Sequence, residues 1–316
     1  MKRPVHSLII PVYKNEENIP TLLIALHDLN QKIENFEVVF VVDGSPDASY
    51  QLLLDQLPDH SFSSQLILLS KNFGSFAAIR RGLEEARGDC FAVMAADLQE
   101  PPELIIDFFK MLDQGEHDIA IGVRGERNDP PLTTFLSKSF WSFYRRFVIK
   151  GVPDGGVDVF ACNQSVREAL LLLEEINSSL IGQLFWVGFK RGFVTYERQK
   201  RVHGQSAWNF SRKMRYMFDS VFAFSDLPIL MFLWTGGIGI ATSMLVSLIV
   251  IISWMLSIIT VPGYAPIILS IYFIGSLLIL GQGIIGSYVW RCNENTKRRP
   301  ITLLQAQHFF HQHEKS

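Results

Sequence analysis

The chain has 316 residues, enough for one large domain with an additional segment. Its formal net charge of −2 argues against nucleic-acid binding by bulk electrostatic attraction. Three widely spaced cysteines, Cys90, Cys162 and Cys292, form no C-x-x-C pair, so we expect reduced thiols in a reducing compartment rather than a disulfide framework.

Apolar runs alternate with helical patterns through the first part of the chain. The runs predict strands at 7–12, 37–42, 65–69, from Phe91 onward, and at 118–123. Helical periodicity predicts intervening helices at 19–32, 47–57, 74–86 and 102–114. This alternation indicates βαβ units, and we therefore expect an α/β fold with a mostly parallel sheet.

The strand that begins at Phe91 ends in polar residues. Asp97 and Gln99 follow it and lie two apart, so on an extended backbone both side chains point to one side. Oxygen ligands in this arrangement suit a hard divalent cation that holds a phosphate, at the sheet edge where α/β folds bind ligands. The alternative is a strand followed by a capped helix, with Asp97 merely solvated.

The next part of the chain is less regular. It has a basic loop at 124–127, a turn with carboxylates at 152–158 and a second basic loop at 198–206. From 208 to 224, aromatic and basic residues recur at helical spacing, which predicts an interfacial helix on a membrane. An ordinary amphipathic helix packed on the soluble domain is the alternative.

A long segment without charge follows. From Leu227 to Trp290 there is no Asp, Glu, Lys, Arg or His, and spanning a bilayer takes about 20 residues, so we expect two transmembrane helices near 229–258 and 267–290. A buried hairpin in a soluble core is the alternative. Basic residues flank both ends of the segment and none lies in the turn, which predicts that both termini face the cytoplasm.

These patterns predict four regions. Residues 1–205 form a cytoplasmic domain, 206–228 a juxtamembrane amphipathic segment, 229–290 two transmembrane helices and 291–316 a cytoplasmic tail. Histidines at 308, 311 and 313 in that tail could bind a metal, but terminal histidines are usually solvated. No internal repeat is visible.

Five short motifs stand in order along the chain: Ile10-Pro11-Val12-Tyr13, Asp43-Gly44-Ser45-Pro46-Asp47, Asn72-Phe73-Gly74, Asp97 to Glu103, and Gly204-Gln205-Ser206. With the paired apolar segments, they resemble the polyisoprenyl-phosphate glycosyltransferases of glycosyltransferase family 2, which have the GT-A fold. These are the dolichyl-phosphate mannose synthase relatives and their bacterial undecaprenyl-phosphate counterparts. The resemblance runs from residue 7 to about residue 299, and the two apolar segments match the bacterial branch.

The resemblance implies an inverting, hexosyltransferase-type enzyme of the bacterial inner (plasma) membrane. It would transfer a sugar from a nucleotide sugar to polyprenyl phosphate at the cytoplasmic face, for cell-surface glycan synthesis or modification. The implied partners are the nucleotide sugar, the polyprenyl phosphate and the lipid bilayer; nucleic acid is excluded and a homo-oligomer is left open. The implied cofactor is a divalent cation, magnesium or manganese.

The resemblance also assigns residues to roles. Donor-binding candidates are Pro11, Tyr13, Asp43, Asp97, Gln99, Arg201 and Ser206. Acceptor-binding candidates are Arg124, Arg127, Ser139 and Asp158; the catalytic candidates are Asp97, Arg124 and Arg127, and the metal ligands are Asp97 and Gln99. Asp158 either orients the acceptor or only caps a turn, and a dedicated general base is not required, because a phosphate monoester with a second pKa of about 6 is already ionised.

The chain also departs from the family pattern. Val42, Ala95 and Asn15 stand where the family carries acidic residues near the nucleotide, and Ala207 stands where it has Lys. These changes indicate an altered donor nucleotide, an altered metal requirement or lost catalysis. A non-catalytic membrane-tethered scaffold and a transferase acting on a lipid-linked glycan therefore remain as alternatives.

Overall fold

The computed structural model describes residues 6–125, 141–142, 144–146, 148–149, 151–153, 156–175, 178–199, 210–256 and 264–310. A sheet of eight strands lies at its centre, in the order β7-β5-β6-β4-β1-β2-β3-β8. The strands are β1 (His6–Val12), β2 (Phe36–Val42), β3 (Ser63–Leu69), β4 (Cys90–Val93), β5 (Ile119–Arg124), β6 (Phe160–Asn163), β7 (Arg191–Tyr196) and β8 (Leu304–Phe310). The predicted strands of the first half are all present.

The sheet is mixed, with a parallel centre. β1 pairs in parallel with β2 and β4, β2 with β3, and β5 with β7. In contrast, β6 runs antiparallel to β4 and β5, and β8 runs antiparallel to β3. The carboxyl ends of the parallel strands therefore meet at one edge, which is where ligands bind in such sheets.

Helices cover both faces of the sheet. In chain order they are α1 (Ile19–Lys32), α2 (Ser49–Gln56), α3 (Ser75–Glu85), α4 (Glu103–Asp113), α5 (Gln164–Leu171) and α6 (Leu180–Trp186). The apolar faces of α1, α2 and α4 contribute to one core, and those of α3, α5 and α6 contribute to the other. β2 is buried along its whole length, as expected of a strand covered on both sides. This arrangement is the GT-A-like mixed α/β fold that the sequence predicts.

Three further helices follow this domain: α7 (Phe210–Phe224), α8 (Leu227–Met255) and α9 (Tyr264–Thr296). They lie where the sequence predicts an interfacial helix and two membrane helices, although α9 extends beyond Trp290. Counting only the described residues, no single helix is long and apolar enough to cross a membrane. The helical segments Met217–Phe224 and Leu227–Gly236 are together long and apolar enough to cross a membrane, by length and composition alone. They are bent by 85° relative to each other.

Contacts join these helices to each other and to the domain. Arg291 on α9 donates a hydrogen bond to Asp219 on α7 at 2.8 Å, and its guanidinium lies 5.2 Å from the centre of the Phe222 ring. The end of α7 also packs against α6, where a Cβ added to Gly182 would lie 2.3 Å from the Phe224 ring. The glycine therefore allows a close approach between the domain and α7.

The sequence analysis did not predict β8. It assigned residues 304–310 to a terminal tail, whereas the structure pairs them with the edge strand β3. His308 lies in this strand, and its Nε2 shares a hydrogen bond of 2.9 Å with the Tyr50 hydroxyl, so it is not simply solvated. Cys90 and Cys162 are free and buried, and Cys292 is free and exposed.

Candidate active site

The loops after β1 and β2 are tied together by hydrogen bonds. The Lys14 amide donates to Ser45 Oγ at 2.8 Å, and the Glu16 amide donates to Asp47 Oδ2 at 3.2 Å. Burial acts to raise the pKa of Asp47, but hydrogen bonds from Ser45, Ser49 and backbone amides outweigh it, and the net pKa is lowered. Asp47 is therefore ionised and holds the two loops together. Pro11 and Tyr13 lie beside them at the ligand-binding edge.

Asp43 is buried, and both of its carboxylate oxygens are engaged. Oδ1 accepts from the Phe73 amide at 2.7 Å, and Oδ2 accepts from the Gly74 amide at 2.8 Å. Burial raises the pKa of Asp43, and the two amide hydrogen bonds oppose this rise. The residue predicted to bind the donor thus also holds the start of α3. Its neighbour Gly44 has φ of +55° and no room for a Cβ, which would lie 2.3 Å from the Lys71 backbone.

The three positions that depart from the family pattern lie in different surroundings. Val42 is the last residue of β2 and is fully buried in the core beneath α1 and α2. Asn15 is partly buried and accepts a hydrogen bond from the Tyr13 amide at 3.1 Å. Ala95 is partly exposed in the loop after β4. In this chain, a carboxylate at position 42 would therefore enter the core, whereas one at position 95 would remain near the surface.

The geometry expected for Asp97 and Gln99 is wrong in one respect. β4 ends at Val93, so the two residues do not lie on an extended strand. Asp97 lies in a turn, the Gln99 amide donates to Asp97 Oδ1 at 3.3 Å, and Leu98 between them has φ of +51°. A left-handed conformation at a leucine is strained, and such strain occurs mainly at functional sites. A sharp turn, not the alternation of a strand, positions the two side chains.

The chain that leaves β7 contacts Gln99 three times. Arg198 Nη2 donates to Gln99 Oε1 at 2.5 Å, and the Gln199 amide donates to the Gln99 backbone carbonyl at 2.8 Å. Gln99 Nε2 lies 3.4 Å from the Gln199 carbonyl oxygen. These contacts fix the amide of Gln99 at the edge of the site.

Glu100 is buried beside these residues. Burial, together with the neighbouring carboxylates of Asp158 and Asp97, raises its pKa to about 7, although Arg198 acts to lower it. Among the described residues, Glu100 Oε2 has no hydrogen-bond partner. A protonated or poorly solvated carboxyl group therefore lies next to both candidate ligands.

Arg124, Asp158 and Tyr196 form a polar cluster near Glu100, whose pKa Asp158 helps to raise. Arg124 and Tyr196 end the paired strands β5 and β7 opposite each other. Arg124 pairs closely with Asp158 through Nε and Nη2, and the Tyr196 hydroxyl donates to Asp158 Oδ2 at 3.3 Å. Burial acts to lower the pKa of Arg124, but Asp158 and Tyr196 outweigh it and raise the pKa. Burial beside Asp158 also raises the pKa of the Tyr196 hydroxyl, so this group is a hydrogen-bond donor.

Several predicted site residues cannot be placed. Arg127, Ser139, Arg201 and Ser206 lie outside the described residues. The structure brings Asp97, Gln99, Arg124 and Asp158 together near Glu100, with Tyr13 and Asp43 on neighbouring loops and Pro11 near the end of β1. The sequence analysis missed the contacts of Glu100, Tyr196 and Arg198, although Glu100 lies in a motif and Arg198 opens the second basic loop.

The oxygen atoms of this site suit a divalent cation. Asp97 and Gln99 supply a carboxylate and an amide oxygen, and Glu100 adds a buried carboxyl oxygen without a partner. Magnesium and manganese prefer such ligands and complete their coordination with water and phosphate oxygens. In the described part of the chain, no three or more His, Cys, Asp or Glu side chains form a metal-binding group.

A mixed α/β sheet carries carboxylates, an amide and an arginine at its ligand-binding edge, which are groups suited to a cation and to phosphate oxygens. Residues 7–171, just over half of the chain, match the family described as Glycosyl transferase family 2. The chain belongs to this family and is a glycosyltransferase.

Its relatives match over nearly their whole length. The chain is 34% identical to the "Putative glycosyltransferase CsbB" of Bacillus subtilis, over 96% of this chain and 92% of that protein. It is 28% identical to the "Bactoprenol glucosyl transferase" of Shigella phage SfII, over 96% and 98% respectively. Among solved structures, the mannosyl-3-phosphoglycerate synthase of Rubrobacter xylanophilus is 17% identical with a TM-score of 0.48, covering 69% of this chain and 72% of that one.

Proposed function

We propose that this glycosyltransferase moves a sugar from a nucleotide sugar to a polyprenyl phosphate at the cytoplasmic face of the bacterial inner membrane. The observation that carries the proposal is the pairing of two half-sites around Glu100. One half-site is Asp97 and Gln99, and the other is Arg124 held by Asp158 and Tyr196. The full-length similarity to a bactoprenol glucosyl transferase supports the lipid-phosphate acceptor.

The donor half-site would hold the diphosphate through a cation. Asp97 and Gln99 are the residues that would ligate magnesium or manganese, and the buried carboxyl group of Glu100 lies beside them. A bound cation neutralises the negative charge that develops on a nucleoside diphosphate as it leaves. The turn at Leu98 fixes the backbone positions of the two ligands relative to each other before the donor binds.

The acceptor half-site would bind the lipid phosphate through Arg124. A guanidinium presents a planar fork of donors that matches two phosphate oxygens. In the structure this fork is occupied by the Asp158 carboxylate, which is itself held by Tyr196. Asp158 therefore orients the arginine, and the acceptor phosphate would take the place of one carboxylate oxygen or bind beside it. The phosphate arrives ionised, so proton removal is not part of the step.

The membrane location is proposed on the pattern of charge. α8 and α9 contain most of the segment without charged residues, which runs from Leu227 to Trp290, and many of their large apolar side chains are exposed in the isolated chain. Basic residues at 212–215 and 297–299 flank the segment, which favours two transmembrane helices with both termini in the cytoplasm. α7 would then lie at the membrane surface and carry the acceptor site close to the lipid headgroups.

A transfer assay tests the proposal directly. Purified full-length protein in lipid nanodiscs is given undecaprenyl phosphate and a panel of labelled UDP-, GDP-, dTDP- and CDP-sugars with magnesium or manganese. We expect label from at least one donor to appear in the lipid phosphate. Lys110→Ala, which alters an exposed residue on α4, serves as the control and keeps full activity. Transfer to a lipid-linked glycan but never to the lipid phosphate would overturn the proposed acceptor.

A further inference from the structure

The residues that leave β7 touch both half-sites in succession. Tyr196 donates to Asp158 on the acceptor side at 3.3 Å. Two residues later, Arg198 Nη2 donates to Gln99 Oε1 at 2.5 Å, and the next amide, that of Gln199, donates to the Gln99 carbonyl at 2.8 Å. A four-residue segment therefore bridges the acceptor arginine and the candidate cation ligand.

Arg198 binds the atom of Gln99 that a cation would need. Of the two side-chain polar atoms of Gln99, Oε1 is the oxygen, and divalent cations of this class bind oxygen. Asp97, Glu100 and Asp158 place three carboxyl groups near this point, and Arg198 counts among the charges that act on Glu100. The guanidinium therefore supplies positive charge to an acidic pocket, at the position where a metal ion would supply it.

A guanidinium and a divalent cation a few ångströms apart repel each other. The Gln99 oxygen could accept a hydrogen bond and ligate a metal at once, but the two positive charges would then be close together. Arg198 can leave at low cost, because it is exposed and lies beyond the end of β7 rather than in the core. Arg198 and a divalent cation thus compete for Gln99 Oε1.

We propose that Arg198 is a positioning residue that holds Gln99 Oε1 in the cation-free enzyme and is displaced when a divalent cation binds. The inference rests on the proposed function, since it takes Asp97 and Gln99 as the cation ligands. Cation binding then releases one of the three contacts between Gln99 and the segment that follows β7, the one made by the Arg198 side chain, and leaves the two contacts with the Gln199 backbone in place.

Manganese binding measured without any substrate tests the competition. Free Mn²⁺ is followed by electron paramagnetic resonance while it is titrated into purified full-length protein. Arg198→Ala removes the competing charge and adds no oxygen ligand, so we expect Mn²⁺ affinity to rise roughly three- to tenfold, a modest gain because the arginine is exposed and screened. Arg198→Lys keeps the charge and stays closer to the wild type, and Lys110→Ala, which removes a remote charge, leaves affinity unchanged.

The variant Asp97→Asn distinguishes failure of the proposed competition from failure of the proposed cation site. If wild-type binding depends on Asp97 but Arg198→Ala binds Mn²⁺ no more tightly than the wild type, this inference is overturned while the proposed cation site stands. If Asp97→Asn binds as well as the wild type, the cation site itself is misplaced and both fail. Misfolding would disrupt the Asp97 site, so a gain in affinity counts only for a variant whose circular dichroism spectrum matches that of the wild type and whose added affinity is lost with Asp97→Asn.

Discussion

The buried carboxylate of Glu37 provides a test of the fold that is independent of catalysis. Glu37 lies near the start of β2, at the sheet edge opposite the candidate site, and its side chain is fully buried. Four donors converge on it. Ser7 Oγ and the Arg87 amide donate to Oε2 at 2.9 and 3.0 Å, and Gln65 Nε2 and Arg87 Nε donate to Oε1 at 2.8 and 2.7 Å.

Glu37→Gln keeps the shape of the side chain but replaces one acceptor oxygen by an NH₂ group. Two of the four donors would then face a donor, and Arg87 would lose its ion pair. Breaking a buried ion pair in this way costs about 3–5 kcal/mol, and the lower end applies because Arg87 is 38% exposed and can reach water. For a domain of this size, we expect Tm to fall by about 10 °C.

Thermal unfolding of the purified full-length protein, followed by circular dichroism, measures the effect. Glu34→Gln makes the same chemical change on an exposed residue three positions earlier and should leave Tm unchanged. The KM values for both substrates should also stay constant, because Glu37 is remote from the ligand-binding edge. A Tm within about 1 °C of the wild type would refute the view that this carboxylate stabilises the sheet.

Three further predictions concern the candidate site. Asp97→Asn should lower turnover by more than about a hundredfold, from the loss of charge stabilisation at the leaving group, and full activity at limiting metal would contradict the assignment. Arg124→Lys should raise KM for the lipid phosphate more than KM for the nucleotide sugar, since lysine lacks the planar fork; a change in the donor constant alone would move Arg124 to the diphosphate site. Val42→Asp places a carboxylate in the core and should unfold the protein or lower Tm strongly. Ala95→Asp should fold normally and change the preference among nucleoside diphosphates, as measured by calorimetry. Equal stability of the two variants would show that the core tolerates the carboxylate.

The sequence predicted the elements of the first half well because their patterns are local. Each strand there is an apolar run of four to seven residues, and each helix has an apolar face. The end of β4 was less predictable. A leucine in the left-handed conformation has no sequence signal, so Asp97 and Gln99 appeared to continue an extended strand when they lie in a turn.

The contacts of the site depend on residues that are distant in the chain. Asp43 bonds to amides about 30 positions later, and the Asp43 motif does not indicate this second role. Tyr196 reaches Asp158 because β5 pairs with β7 on one side and with β6, which follows Asp158 in the chain, on the other, a topology that strand patterns do not specify. Glu100, Tyr196 and Arg198 were therefore missed as interacting groups, although two of them lie in segments that the sequence analysis singled out.

The strand β8 has a consequence for how the protein must be made. It lies after α8 and α9 in the chain, yet it covers the edge of β3, and Gln307 donates to Gln65 and Glu85 next to the buried Glu37 network. During synthesis, β8 leaves the ribosome only after α8 and α9 have been made. The edge of β3 therefore stays unpaired until α8 and α9 have been synthesised. A shortened chain that stops before residue 304 would retain the site residues but leave that edge open to pairing with other chains.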